Sequence, residues 1–200
     1  MNKDKLNDLV LNNYKLNPIF FDMIISKIGD IIDYDKLLNV SKDIKHLIMF
    51  ETFSGSLYLS DNNITGNIKD LIIPESFSGT LYLYDNNITG NIKDLIIHEN
   101  FSGELYLSNN NISGNIKGLK LFENFSGTLD LHDNNISGNI IDLIIPESFS
   151  GKLNLQNNNI SGNIKDLKIL KNFSGILDLE NNDISGTESD IPKNNGTIKI

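Results

Sequence analysis

Apolar and polar positions alternate over short stretches of this chain, and the stretches recur at a fixed interval from residue 53 onward. The triplet Phe-Ser-Gly opens each unit, and its phenylalanines lie 24 residues apart at Phe53, Phe77, Phe101, Phe125, Phe149 and Phe173. The first unit reads FSGSLYLSDNNITGNIKDLIIPES over 53–76, and four more full copies and a partial sixth follow. Such a period is typical of stacked coils, because one unit alone cannot bury its apolar face.

Each unit contains two stretches with the alternation of a strand. In the first, Leu57 and Leu59 share one side while Tyr58 takes the other, so stacking places the leucines of all coils in columns of a parallel sheet. In the second, IKDLII at 68–73, Leu71 and Ile73 stay apolar and the position between them varies. This predicts a second short strand on the back of each coil. A two-sided β-solenoid remains an alternative geometry.

Glycine and asparagine keep the same places in every unit. Twelve of the fifteen glycines fall at two positions, those of Gly55 and Gly66 in the first copy. Glycine held in register predicts tight corners, where φ is positive or a neighbouring backbone leaves no room for a side chain. One asparagine also recurs in register, and we expect its amide to bond backbone groups of its own and neighbouring turns. The members of this series are Asn62, Asn86, Asn110, Asn134, Asn158 and Asn182.

The segment L-x-L-x-x-N-x-I-[ST]-G-N-I resembles the leucine-rich repeat, and the 24-residue length resembles its plant-type subclass. Lysine or isoleucine stands where that subclass has proline, at Lys69, Lys93, Lys117, Ile141 and Lys165. The resemblance covers roughly 53–186. It implies a repeat solenoid of parallel β coils, mostly strands and turns, whose concave face binds a protein target. Residues 187–200 are expected to form a C-terminal cap in which TIKI adds a last edge strand.

The N-terminal residues 1–52 lie outside the repeat and carry apolar side chains at helical spacing, such as Phe20, Ile24 and Ile28. This predicts a small α-helical cap of about three helices. Asn17 and Pro18 suit the start of the first helix, and Ser41 suits the cap of one that runs through Ile44 to Leu47.

The same segment resembles an F-box, with an apolar-proline opening, isoleucines at helical spacing, an acidic-Leu-Leu stretch and Val-Ser-Lys. The residues that would carry this resemblance are Pro18, Ile24, Ile28, Leu37, Leu38 and Val40. An F-box joined to leucine-rich repeats implies a substrate adaptor of a ubiquitin ligase, docked on a Skp1-like subunit. The alternative is a plain repeat interaction protein whose N-terminal helices only cap the solenoid.

Composition narrows the classes of partner. The formal charge of -9 and a pI near 4.7 argue against binding nucleic acid through its phosphates. No cysteine is present, and the opening MNKDKLND does not look like a signal peptide. No apolar run is long enough to span a membrane. These features favour an intracellular protein with no membrane partner.

Nothing in the sequence indicates a catalytic, metal or cofactor site, because the serines and aspartates recur in every unit and His46, His98 and His132 occupy unrelated slots. We expect a non-enzymatic protein-protein interaction scaffold with no cofactor. Its front surface divides into a tyrosine-rich half and a polar-to-acidic half, and the tyrosines suit binding or, alternatively, only stabilise the sheet. The predicted partner-binding residues are Tyr58, Tyr82, Tyr84, Tyr106, Asp130, His132, Asp178 and Glu180.

Overall fold

The computed structural model describes residues 43–47, 55–75, 77–99, 101–123, 125–169 and 171–200. In these residues the chain winds into stacked coils, and every strand pairs in parallel within one of two sheets. The predicted β-rich repeat solenoid is therefore confirmed. Of the predicted α-helical cap over 1–52 only residues 43–47 are described, and all six F-box-like residues lie outside the described residues.

The first sheet, here called the front sheet, has seven short strands, one for each coil. Equivalent positions pair directly, so that Leu57 faces Leu81 and Leu81 faces Leu105. Each strand is short because the chain must turn again within its 24-residue coil. The strands are Ser56–Tyr58, Thr80–Tyr82, Glu104–Tyr106, Thr128–Asp130, Lys152–Asn154, Ile176–Asp178 and Thr197–Lys199.

The second sheet has five strands, and it does not lie where the alternation in IKDLII predicts it. It forms from the Asn-Ile-Ser-Gly-Asn stretch, or a variant of it, that follows five of the front strands, so the predicted back strand over 68–73 is wrong. Its strands are Thr89–Asn91, Asn111–Asn115, Asn135–Asn139, Asn159–Asn163 and Asp183–Ser185. Isolated bridges Asp43–Thr65 and Asn67–Thr89 continue the same pairing toward the first coils.

The start of IKDLII is instead a single turn of 3₁₀ helix. The Asn67 side chain accepts a hydrogen bond from the Lys69 amide, and the Leu71 amide donates to the Ile68 carbonyl. The asparagine therefore acts as an N-cap and fixes the turn. Leu71 and Ile73 are buried and Ile72 is exposed, as predicted, but no ladder joins them to the next coil. The 3₁₀ turns are Ile44–His46, Ile68–Asp70, Ile92–Asp94, Ile116–Gly118, Ile140–Asp142, Ile164–Asp166 and Glu188–Asp190.

The core runs along the inside of the coils in columns of one residue type. Phenylalanines stack face to face from coil to coil, for example Phe125 on Phe149 with ring centroids 5.5 Å apart. Leucine and isoleucine columns fill the remaining space, and Leu129 and Ile136 in the middle of two of them are 0 % exposed. Burial of these columns is the main force that holds neighbouring coils together, because each coil covers the apolar face of the last.

The asparagine series is structural, as the sequence predicts. Asn134 Nδ2 donates to the carbonyls of Leu107, Leu131 and His132 at 3.0, 3.1 and 3.2 Å. Its Oδ1 accepts from the amide of Ile112, in the coil before, at 2.9 Å. One amide thus satisfies backbone groups of two coils that the turn would otherwise bury without partners.

The two glycine series meet the two different requirements for which glycine is suited. Gly114 has φ +106°, which L side chains rarely adopt. Gly151 instead lies against the backbone of the coil before, where an added Cβ would collide with the Gly127 carbonyl oxygen.

Both ends of the described stack differ from the units between them. Asp43–Leu47 repeats the geometry of Asn67–Leu71, with Asp43 as cap and the Ile44 amide donating to the Thr65 carbonyl at 2.8 Å. The helix predicted to start at Ser41 and run through Ile44 to Leu47 is therefore wrong over 43–47. These residues add a partial coil ahead of Phe53. At the other end, Thr197–Lys199 pairs with Ile176–Asp178 as the expected edge strand.

Candidate functional site

The front sheet positions its outward side chains by simple alternation. On Ser56–Tyr58, Leu57 is buried while Tyr58 is 64 % exposed. Because equivalent residues pair directly, the outward residues of successive coils stand side by side in a column. This column reads Tyr58, Tyr82, Tyr106, Asp130, Asn154, Asp178 and, on the last strand, Lys199.

The first three members of the column form a stack of parallel rings. Tyr58 and Tyr82 have ring centroids 4.7 Å apart at 7° between planes, and Tyr82 and Tyr106 are 5.0 Å apart at 9°. Tyr84 meets Tyr82 at 90°, with centroids 6.2 Å apart. Since Tyr58 and Tyr106 cover both faces of Tyr82, the central ring presents its edge and hydroxyl group. We call these four residues the tyrosine patch.

Glu104 lies beside the patch and accepts two weak hydrogen bonds. The Thr80 hydroxyl donates to Glu104 Oε2 at 3.2 Å and the Tyr106 hydroxyl donates to the same oxygen at 3.4 Å. Burial, followed by the negative charge of Glu104, raises the pKa of Tyr106 to about 12. Burial also raises the pKa of Tyr82, with a smaller contribution from Tyr58. Both phenols are therefore neutral donors at physiological pH.

The second half of the column is polar but largely paired within the molecule. Asp130 is only 7 % exposed, and its Oδ1 lies 2.7 Å from His132 Nδ1 and accepts from the His132 amide at 3.2 Å. His132 Nε2 lies 3.6 Å from Asp133 Oδ2 on its other side. Residues two apart in an extended chain share a face. The alternation in the sequence was therefore enough to predict that Asp130 and His132 lie side by side.

Asp178, farther along the column, is also buried and paired. Its Oδ2 forms an ion pair with Lys199 Nζ at 2.8 Å, and this hydrogen bond raises the pKa of Lys199. Lys199 belongs to the shortened last coil, out of register with the 24-residue period. Periodicity therefore did not reveal this partner. The predicted acidic half thus loses much of its free negative charge to internal partners.

Carboxylates without partners lie instead beside the tyrosine patch. Asp61 and Asp85 occupy the turns that follow the first two front strands, are exposed, and have no side-chain hydrogen bond or ion pair to any described residue. On the outward positions of the front strands and the turns after them there are seven carboxylates and two lysines. They are Asp61, Asp85, Glu104, Asp130, Asp133, Asp178 and Glu180, with Lys152 and Lys199.

Backbone conformation explains why this turn has either aspartate or asparagine in every coil. Asp61, Asp85, Asn109, Asp133, Asn157 and Asn181 all have φ between 51° and 58°. Aspartate and asparagine tolerate this left-handed region better than other residues with a Cβ, because their short polar side chains bond locally. Asn157 Nδ2 donates to Asp133 Oδ1 at 2.9 Å, so side chains of successive turns reach one another.

The described residues contain no group of three or more histidine, cysteine, aspartate or glutamate side chains placed to hold a metal ion. They also contain no helix with the length and apolar character needed to cross a membrane.

Comparison with known proteins finds similarity only among solved structures. No family model and no curated protein matches the chain. A crystal structure of a pollen receptor kinase 3 is 26 % identical with a TM-score of 0.46, over 74 % of this chain and 73 % of that one. The plant peptide hormone receptor RGFR1 in complex with RGF2 is 23 % identical with a TM-score of 0.40, over 66 % of this chain and 25 % of that one. Because both TM-scores lie below 0.5, the fold assignment rests on the coils of this chain.

The comparison corrects one expectation from the sequence. An intracellular location was expected from the charged N-terminus and the absence of cysteine. The similar chains are ectodomains of plant receptor kinases, which are extracellular, and this finding contradicts the expected intracellular location.

Proposed function

We propose that this protein is a non-enzymatic scaffold that binds another protein through its front surface. The observation that carries the proposal is the contrast along the front strands, where the inward residue is leucine from Leu57 to Leu177 while the outward column changes from three tyrosines to polar and charged residues. A surface that only stabilised the stack would repeat on both sides, as the phenylalanine and asparagine columns do. Variation confined to the outward side is what recognition of a particular partner requires.

The tyrosine patch supports this proposal. Tyrosine supplies a large, rigid contact area with a polar tip, and it is enriched among residues that dominate binding energies at interfaces. Tyr58 is 64 % exposed although its inward neighbours are fully packed. Stacking on Tyr82 and Tyr106 holds the rings in place, so little side-chain entropy is lost when a partner binds.

Quantitative affinity capture from cells that make the protein tests this function. The bait carries Tyr82→Ala and Tyr106→Ala together, and the control bait carries Ile72→Ala and Ile144→Ala, which truncate exposed side chains elsewhere on the coils. We expect the tyrosine variant to lose a defined set of captured proteins that the control retains. Capture that is unchanged by the tyrosine variant, or lost equally in both, would place the binding surface elsewhere.

The ubiquitin-ligase adaptor role stays a prediction and is not part of this proposal. Its six residues, from Pro18 to Val40, lie outside the described residues, and its intracellular setting is the expectation corrected above. A Skp1-like partner therefore has no support from the described coils.

A further inference from the structure

We propose that the tyrosine patch, together with Asp61 and Asp85, is the docking site of a cationic protein segment in which lysine or arginine side chains supply the contacts. This inference rests on the proposed function and names the chemistry of the partner and the half of the front surface that it occupies. It also differs from the division that the sequence predicts, in which the acidic half lies at Asp130 and beyond.

The aromatic part of the site is open on defined sides. Tyr58 and Tyr106 cover the two faces of Tyr82, so the middle of the stack offers ring edges and hydroxyl groups. Tyr58, at the start of the stack, is the most exposed ring of the column. Tyr84 stands at 90° to Tyr82 and meets only its edge, which makes an aromatic corner beside the turn that carries Asp85. Ring faces attract ammonium and guanidinium groups through the ring quadrupole, whereas ring edges do not, so Tyr58 and Tyr84 are the rings of the patch suited to contact a cation.

The electrostatic part of the site is the pair of carboxylates Asp61 and Asp85, which have no side-chain partner among the described residues. At the equivalent turns of two later coils, Asn157 Nδ2 donates a hydrogen bond to Asp133 Oδ1 at 2.9 Å. Asp61 and Asp85 occupy the same relation one coil apart, but neither can donate a hydrogen bond when ionised. Two like charges at neighbouring positions favour a cation between or beside them.

No cation of the described chain supplies that charge. On the first three front strands and their turns, the charged outward residues are Asp61, Asp85 and Glu104, with no lysine. On the later coils Asp130 is held by His132 and Asp178 by Lys199, while Lys152 adds a positive charge. Asp133 and Glu180 also lie on the later coils, but the tyrosine patch is the part of the front surface where carboxylates stand without a lysine and beside four tyrosines.

Three synthetic peptides of one length provide the test, since the natural partner is unidentified. The first carries lysine at alternate positions among glycine and serine, the second has every lysine acetylated, and the third has glutamate in place of lysine. Binding to the full chain is measured by fluorescence anisotropy at about 20 mM and about 200 mM salt. We expect the lysine peptide to bind, to weaken at the higher salt, and to bind at least about fivefold more tightly than either of the others.

Two double variants with equal loss of charge locate the site. Asp61→Asn with Asp85→Asn acts on the patch, and Asp133→Asn with Glu180→Gln acts on the later coils. Asparagine at these turns is tolerated by the fold, because Asn109, Asn157 and Asn181 occupy the same positions with the same positive φ. We expect the first variant to weaken the affinity for the lysine peptide about fivefold or more, and the second to change that affinity less than about twofold. Tyr84→Ala in the otherwise unchanged chain should weaken it as well.

Equal binding of the lysine and acetylated peptides, or equal losses in the two double variants, would overturn this inference. That failure is distinct from failure of the proposed function. If Tyr82→Ala with Tyr106→Ala still releases captured proteins, the front surface binds a partner of different chemistry. If it does not, the proposed function fails first.

Discussion

On each front strand the inward and outward side chains obey different rules. The inward column is leucine in every coil from Leu57 to Leu177, whereas the outward column changes from Tyr58 to Asp130 to Lys199. Inward residues each contact their own counterparts in the neighbouring coils, so a change in one coil disturbs the packing of three. Outward residues lie outside this hydrophobic core and are free to differ. The comparison shows which positions of a coil serve the stack and which are free to vary.

The largest expected effect comes from removing one member of an inward column. Asn134→Ala should lower the free energy of unfolding by about 3 kcal/mol, because the Ile112 amide and the carbonyls of Leu107 and Leu131 lose their buried partner. Urea unfolding followed by circular dichroism measures the change. Asn135→Ala is the matched control, since the next residue is exposed and should shift stability by less than about 0.5 kcal/mol. Similar losses in the two variants would remove the distinction between the inward and outward sides.

A smaller effect is expected at the turn that separates the two sides. Asp85→Ala should lower the free energy of unfolding by about 1 kcal/mol, because alanine is strained at φ 55°. Asp85→Asn should leave stability nearly unchanged in the same urea experiment. A stable alanine variant would show that the aspartate is kept for binding and not for the turn.

The smallest effect concerns the outward column alone and appears only at high pH. The pKa of Tyr106 is raised to about 12, so the folded chain keeps a proton that the unfolded chain releases near pH 10. The stability from this phenol is therefore fully present below about pH 10 and is lost as the pH rises through about 12. Absorbance at the tyrosinate band, compared with that of Tyr106→Phe, should show the last tyrosine to ionise missing from the variant. A normal titration of Tyr106 would contradict its burial beside Glu104.

Several features of the fold could be predicted because they depend on one coil and its copy. The leucine columns follow from alternation over three residues, and both glycine roles follow from glycine being held in register. The asparagine ladder follows from a polar residue that recurs among buried neighbours. In each case a residue contacts its own counterpart, or a neighbour of that counterpart, in the next unit, so the period alone predicts the contact.

Other features depend on which atoms meet across the stack. The stretch at 68–73 has the alternating burial of a strand, yet Asn67 caps it into a 3₁₀ turn and the second sheet forms at Asn-Ile-Ser-Gly-Asn instead. Alternation reports which side chains are buried, but not which backbone groups bond to the next coil. The sequence does not predict that Asp43–Leu47 has the geometry of the repeat, because its neighbours do not match the repeat closely.

The sequence by itself determined the period, the solenoid, the inward columns and the choice of the outward column as the candidate surface. Only the tertiary structure decided which charges of that surface are free. From the sequence, Asp130 and Asp178 are expected to be exposed acidic groups, but in the structure they pair with His132 and with Lys199, which is out of register. Asp61 and Asp85, beside the tyrosines, have no side-chain partner among the described residues. The physical reason is that periodicity places residues in columns, while the pairing of charges depends on distances of a few ångströms between side chains, some of them outside the period.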